Sequence, residues 1–339
     1  MRTREIICEY QNYIFERPGD RQKMWGEAVS NDERTVNAWR DTWISNVREN
    51  HKRFGRFADY GIGQLFGKHR FMPIIIVGSG PSLKFNIEKL KNRNGIPVVS
   101  CLHNFHFLED NDCPADYYVS LDAGPVTIEE VSEGGKRTEA EYWDLTKERT
   151  LIAFVGSHPK LLENWQGKIH LFNAPIPDDK YKEASDAVEP FRQWVSTGGN
   201  VLGASLYISK AYLGAGSIVF MGADFSFGYD KKFHSWDSKY DATMGVCIPA
   251  FDVFGNKVAT WQSYYNFKRW FEYITLNVPG DYINCSEGGC FGSYPEGNLS
   301  SIKQMDLEDC LKMFNMCDNL KPCVENPAIE GKENQILLF

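Results

Sequence analysis

The hydrophobic pattern changes character near residue 70. Before it, Trp39, Trp43, Val47, Phe54 and Phe57 recur at intervals of three, four and seven, which places one apolar stripe along a helix. Residues 1–70 are therefore expected to form a helical N-terminal region. From Pro73 onward, short apolar runs alternate with helical segments. Ile74-Ile75-Ile76-Val77 is β-branched throughout and does not alternate with polar residues, as befits a strand covered on both faces of a parallel sheet. Runs of the same type follow at 96–101, 117–121, 151–155 and 218–221, and 282–284 is strand-like; helical periodicity appears at 85–91 and 201–213. This alternation predicts an α/β fold, a Rossmann-like, doubly wound, mostly parallel sheet with a helical N-terminal extension, the sheet domain occupying 71–296. Residues 297–339 read as one helix at 302–316, with Leu307, Cys310, Leu311 and Phe314 on a face, and a polar, irregular tail.

The turn after the first run, Gly78-Ser79-Gly80-Pro81-Ser82-Leu83, ends a buried strand and precedes a helical segment. Two glycines let the backbone approach a ligand, and the amides at a helix start attract an anion. Gly78, Ser79, Gly80, Pro81 and Ser82 are therefore expected to bind a nucleotide or phosphate. Leu83 stands where a dinucleotide fingerprint has its third glycine, and no acid closes the next strand, Val98-Val99-Ser100-Cys101, which disfavours NAD. There is no Gly-Lys-Ser/Thr, so the turn is not a P-loop. A tight turn without a ligand is the plain structural alternative.

A second cluster, Ser196-Thr197-Gly198-Gly199-Asn200, precedes the 201–213 segment. Ser196 or Thr197 can cap that helix or bind substrate oxygens, and the glycine pair adds an anion nest. The run at 218–221 leads into Gly222-Ala223-Asp224-Phe225-Ser226-Phe227-Gly228-Tyr229, and an acid just past a central parallel strand lies where open α/β sheets keep their ligands. Asp224 is expected to bind a ribose hydroxyl, orient a ring or hold Mg²⁺, against the alternative of a turn cap. Asp122 takes the analogous place after Tyr117-Tyr118-Val119-Ser120-Leu121, and with Asp224 would make a carboxylate pair for Mg²⁺. His234 is a candidate acid, base or phosphate ligand, and Asn104 a polar contact at the mouth. His103 and His106 lack a third ligand at a recognisable spacing, so no metal site is assigned. In Asn284-Cys285-Ser286-Glu287-Gly288-Gly289-Cys290, Glu287 and Gly288 stand on a loop suited to meeting substrate. No G-x-S-x-G elbow indicates a hydrolase.

Composition narrows the field. Hydrophobic residues make up 42% and charged residues 24%, proportions of an ordinary globular chain rather than a disordered or membrane protein. No apolar stretch is long enough to cross a bilayer, and the charged start does not read as a signal peptide, so a cytoplasmic protein is expected. Nine cysteines without a close pair argue for reduced thiols rather than a disulfide framework. The net charge of −8 argues against nucleic acid as a partner. One basic concentration, from Arg48 through His51, Lys52, Arg53 and Arg56 to Lys68, His69 and Arg70, reads as a solvated face.

Taken together, the blocks Gly78-Ser79-Gly80-Pro81-Ser82-Leu83, Ser120-Leu121-Asp122, Ser196-Thr197-Gly198-Gly199-Asn200-Val201, Gly222-Ala223-Asp224-Phe225 and Asn284-Cys285-Ser286-Glu287-Gly288-Gly289 resemble, in order, those of the motility accessory factor and MptE-like proteins. The resemblance spans about residues 70–295. The family includes flagellin glycosyltransferases that use nucleotide-activated nonulosonic acids and archaeal 6-hydroxymethylpterin pyrophosphokinases. Its core is similar to bacterial CMP-sialic-acid sialyltransferases, whose first strand also ends in Gly-x-Gly-Pro-Ser-Leu. There that turn cradles the CMP phosphate and ribose, which implies the same for Gly78, Gly80, Pro81 and Ser82, with Thr197 and Gly198 near nucleotide and sugar. Ser226 and His234 stand where those enzymes place tyrosines that steady the leaving phosphate, with Tyr229 nearby.

What the resemblance implies is a transferase taking a CMP-type sugar donor, with His234, Asp224 and Asp122 in the chemistry, Ser226, Tyr229, Glu287 and Gly288 toward substrate, and no metal required. Its acceptor, a protein or a glycan, and its oligomeric state stay open. The alternatives are a diphosphotransferase using ATP and Mg²⁺, with Asp122 and Asp224 as metal ligands, and a non-catalytic nucleotide-binding protein.

Overall fold

The computed structural model describes residues 20–236 and 247–317, with side chains described from 34 to 315. The chain start and the irregular tail singled out in the sequence lie outside these. The strands are β1 (Pro73–Val77), β2 (Val98–Cys101), β3 (Tyr117–Ser120), β4 (Thr150–Phe154), β5 (Lys168–Phe172), β6 (Ser217–Met221), β7 (Cys247–Phe251), β8 (Lys257–Trp261), β9 (Asp281–Asn284), β10 (Ser293–Tyr294), β11 (Gly297–Asn298) and β12 (Lys303–Gln304). Eight of them form one parallel sheet in the order β12-β9-β6-β1-β2-β3-β4-β5. The two antiparallel hairpins, β7–β8 and β10–β11, stand apart from it.

The chain steps outward from β1 to β5, crosses back to β6 on the other flank of β1, and steps outward again to β12. Strand order therefore reverses between β1 and β6, and the crevice at their carboxyl ends is where such sheets accommodate ligands. β1 sits at the centre because its aliphatic residues have cover on both faces: Ile74, Ile75, Ile76 and Val77 are fully buried, each contributing about 1.5–3 kcal/mol by leaving water.

The N-terminal helix Asp20–Phe54 follows the predicted stripe. Val47 is buried, Trp43 meets Phe154 and Tyr181 edge-on, and Phe57, in the turn Phe57–Tyr60, packs on Phe191. Two asparagines dock the helix to the sheet. Asn46 Nδ2 donates to the carbonyls of Ala123 and Gly156, and Asn50 Nδ2 to those of Val155 and Ser157, at 2.8–3.0 Å. The helix thereby braces the loop that carries Asp122.

Three elements differ from expectation. β5 escaped because Lys168-Ile169-His170-Leu171-Phe172 is an edge strand whose polar residues break the apolar run. The helix expected at 201–213 is α-helical at Val201–Tyr207 and continues as a π turn, Ile208–Tyr212. Past residue 296, β12 adds an eighth strand and the helix Leu307–Cys317 buries Leu307, Cys310 and Leu311 in the main core. The sheet domain thus extends beyond its predicted end. Among the described residues no helix is long and apolar enough to cross a membrane.

Candidate functional site

The turns after β1 and β6 touch through their backbones. Gly78 N donates to Met221 O and Gly80 N to Gly222 O, both at 2.8 Å. A Cβ on Gly78 would stand 2.6 Å from Gly222 O, and one on Gly222 (φ +58) 2.5 Å from Gly78 O. The paired glycines are therefore required by this approach whether or not a ligand is present. Asp224 fastens the two turns: its carboxylate accepts from Ser82 N at 2.7 Å and from the Ser82 hydroxyl. Burial pushes the Asp224 carboxyl up to about 6, against the two Ser82 hydrogen bonds, which lower it. The 284–290 loop closes behind, with Cys290 N donating to Asp224 O at 2.7 Å.

A cavity of about 230 Å³ opens at this switch point. Of the expected site residues, Gly78, Ser79, Gly80, Asp122, Asn200, Asp224, Ser226 and His234 line it. Asp122 reaches solvent inside this concave wall, yet the protein mass around it holds its carboxyl above the usual range. His234 Nδ1 lies 3.3 Å from the Ser79 carbonyl, and its ring stacks on Trp236 with centroids 4.9 Å apart. Burial pulls the His234 imidazole down to about 4, so in the free protein it is neutral at pH 7. The Ser226 hydroxyl is buried without a hydrogen-bond partner among the described residues.

The other expected residues lie around the cavity rather than on its wall. Pro81 and Ser82 are behind the first turn, Ser82 being held by Asp224. Asn104 is fully buried, its Nδ2 donating to Val77 O and Ser100 Oγ at 3.2 and 3.1 Å, so it supports the β1 turn from below. The helix after Gly199 is capped by Asn200, whose Oδ1 accepts from Gly203 N at 2.8 Å, and not by Ser196 or Thr197. The Thr197 hydroxyl accepts instead from Gly199 N within the turn. Gly198 and Gly199 pack against Trp270 and Phe267, and Ser196 faces a separate small crevice. Tyr229 is mostly exposed and donates to Asp252. Glu287 pairs with Lys89 at 2.6 Å and accepts from Leu307 N at 3.1 Å, which fixes the C-terminal helix; Gly288 packs near Ser82.

Several lining residues carried no recognisable signal in the sequence: Glu130, Phe233, Tyr264 and Phe267; His103, weighed there only as a metal ligand, lines the cavity as well. The aromatic density of the Gln262–Asn277 helix, with Tyr264, Tyr265, Phe267, Trp270 and Phe271 in one stretch, was the one available hint. Phe233, Tyr264 and Trp261 stack together, with centroids 4.9–5.3 Å apart, and form an aromatic wall. Among the described lining residues there is no Lys or Arg, while Asp122, Glu130 and Asp224 are all present. His103 turns its ring edge to His234, 4.6 Å between centroids. No group of three or more His, Cys, Asp or Glu among the described residues is placed to hold a metal ion.

The sequence model of the family described as 6-hydroxymethylpterin diphosphokinase MptE-like matches residues 42–230, more than half of the chain. No match is found among curated proteins. Among solved structures, the MAf glycosyltransferase from Magnetospirillum magneticum AMB-1 is similar, with a TM-score of 0.59 and 17% identity over 81% of this chain and 40% of that one. This chain thus spans less than half the length of that protein, and at such identity the likeness establishes the shared fold alone.

Proposed function

We propose that this chain, which belongs to the MptE-like family, is a transferase that uses a nucleotide-activated sugar of the CMP type. The observation that carries this is the cavity's charge: its described wall has three carboxyl groups and no Lys or Arg. A nucleoside triphosphate concentrates charge that phosphoryl-transfer sites neutralise with Lys, Arg and Mg²⁺, whereas a CMP-type donor brings a single bridging phosphate. Backbone amides suffice for that. In the first turn the Gly78 and Gly80 amides are taken by the β6 turn, which leaves Ser79 N–H without a protein partner among the described residues. At the helix start, Asn200 satisfies Gly203 N, and the amides of Val201 and Leu202 have no acceptor within the helix. These three amides are proposed to stabilise the departing phosphate.

The base of the nucleotide then stacks against Phe233, Tyr264 and Phe267. Asp122 takes the proton of the acceptor hydroxyl as its oxygen bonds to the anomeric carbon and the bond from that carbon to the phosphate oxygen breaks. Its raised carboxyl suits a base better than an ordinary surface acid. His234, neutral, holds the Ser79 carbonyl and so orients the turn, and Ser226 lines the wall toward the sugar. Asp224 acts by fixing Ser82 and the two turns.

Asp122→Asn should leave CMP binding, read by thermal shift, within about twofold while reducing transfer by a factor of about 10²–10⁴. Undiminished transfer would remove Asp122 from the mechanism. A second proposal, Mg²⁺-dependent diphosphate transfer from ATP to a pterin alcohol, takes support from the family's description and from Asp122 and Asp224, which both line the cavity, where a divalent cation would supply the missing positive charge.

A further inference from the structure

The segment Phe66-Gly67-Lys68-His69-Arg70-Phe71-Met72 passes below the sheet at the amino ends of β1 and β6, at the end of the strands opposite to the cavity. Its backbone is fixed: Gly67 N, His69 N and Phe71 N donate to the carbonyls of Tyr212, Leu213 and Gly214 at 2.6, 2.9 and 2.8 Å. His69 is half-buried against Tyr117, but the side chains around it are uncovered. Phe66 is 77% exposed, Phe71 74% and Met72 40%. Phe71 adopts φ 65, a conformation that bulky residues rarely take, and in it the ring is presented to water.

Charge accompanies the rings. Lys68 and Arg70 are exposed, and the Arg70 guanidinium lies 4.9 Å from the Phe71 ring centroid. Lys168 stands at the start of β5; burial depresses His170, and Lys68 and Lys168 lower it further. From Tyr60 to Ile87 the sequence has no Asp or Glu, in a chain of net charge −8. Of the carboxylates on neighbouring strand starts, Asp116 is tied to Arg93 at 2.6 Å and Asp281 accepts from Ser217 Oγ at 3.4 Å.

Exposed aromatic rings interleaved with cations, on a turn that cannot fold them away, match the interface of an anionic bilayer, where rings sit at headgroup depth and Lys and Arg meet lipid phosphates. We propose that this turn docks the protein reversibly on an anionic lipid surface, Phe66 and Phe71 entering the headgroup layer and Lys68 and Arg70 contacting its phosphates. The cavity, at the other end of the strands, then faces away from the membrane. This proposal is independent of what the cavity binds.

The test is co-sedimentation of the full chain with vesicles of phosphatidylcholine alone or mixed with phosphatidylglycerol. The intact protein should bind the mixed vesicles and not the neutral ones, and release in high salt. K68E/R70E should weaken binding about fivefold or more per residue, and Phe66→Ser with Phe71→Asn should weaken it likewise. Unchanged melting temperatures would show both variants folded, as expected for exposed positions. Absence of binding by the intact chain would overturn the proposal, as would binding indifferent to both double variants. A dimer that the aromatic variant converts to monomer, with no vesicle binding, would overturn it in favour of a second copy of the chain.

Discussion

Asp224 joins residues far apart in sequence, since its partner Ser82 lies 142 positions away. Its carboxyl, near 3.8 in the unfolded chain and about 6 in the fold, binds its proton more tightly in the native state. The contribution to stability from this group is thus greatest below pH 4 and is lost as pH rises through 6, by about 3 kcal/mol for a shift of this size. Urea unfolding of the intact protein and of Asp224→Asn at pH 4, 5, 6 and 7 should show the intact protein losing stability relative to the variant across that window. Parallel curves would mean that Asp224 does not titrate there. The position of Asp224 was legible from the strand before it, but its attachment to Ser82 was not, because only the sheet brings the two turns together. His234 was likewise legible as a candidate, while its neutrality follows from burial beside His103 and Trp236, which no local pattern reveals.

At the scale of elements, the Gln262–Asn277 helix supplies Tyr264 and Phe267 to the cavity lining, and it carries a fully buried ion pair. Lys268 Nζ lies 2.8 Å from Glu272 Oε1 and 3.7 Å from the centroid of the Tyr294 ring; Glu272 also accepts from Gly292 N and Tyr294 Oη at 2.8 and 2.6 Å. Removing one partner strands the other charge, so Lys268→Met should cost about 3–5 kcal/mol. K268M/E272Q should recover most of that, since the glutamine oxygen still accepts from Gly292 N while its amide nitrogen donates to the Tyr294 hydroxyl, whose proton turns away; the two urea transitions decide it, and an equal loss in both would show that the charge itself is not at issue. The β-branched run of β1 and the helical stripe of Trp43 and Val47 were readable because each is a repeating local pattern. β5, β12 and the β7–β8 hairpin were not, because edge strands and hairpins lack burial on both faces and their pairing is decided by distant partners. The Asn46 and Asn50 contacts, which tie the N-terminal helix to the loops after β3 and β4, fall outside any hydrophobic period for the same reason.

For the whole molecule, the order of the strands determines where chemistry can occur. Reversal between β1 and β6 gathers Gly78 to Gly80, Asp122, Asn200, Asp224 and His234 around one crevice, although they come from loops spread over more than 150 positions. The ordered sequence motifs pointed to that crevice. They also pointed to Glu287 and Tyr229, which lie off the cavity wall, Glu287 bonded to Lys89 and Leu307 N and Tyr229 to Asp252; glycine-rich and acidic loops fasten secondary structure as readily as they bind substrates. The central claim, a cavity that takes a CMP-type nucleotide through amides and aromatic faces, is tested most directly by thermal shift with CMP, and with ATP, each with and without Mg²⁺. A ligand at a hundredfold its Kd adds about 2.7 kcal/mol to stability, so CMP should raise the melting temperature by several degrees whether or not Mg²⁺ is present. A shift with ATP that requires Mg²⁺, and none with CMP, would contradict the account.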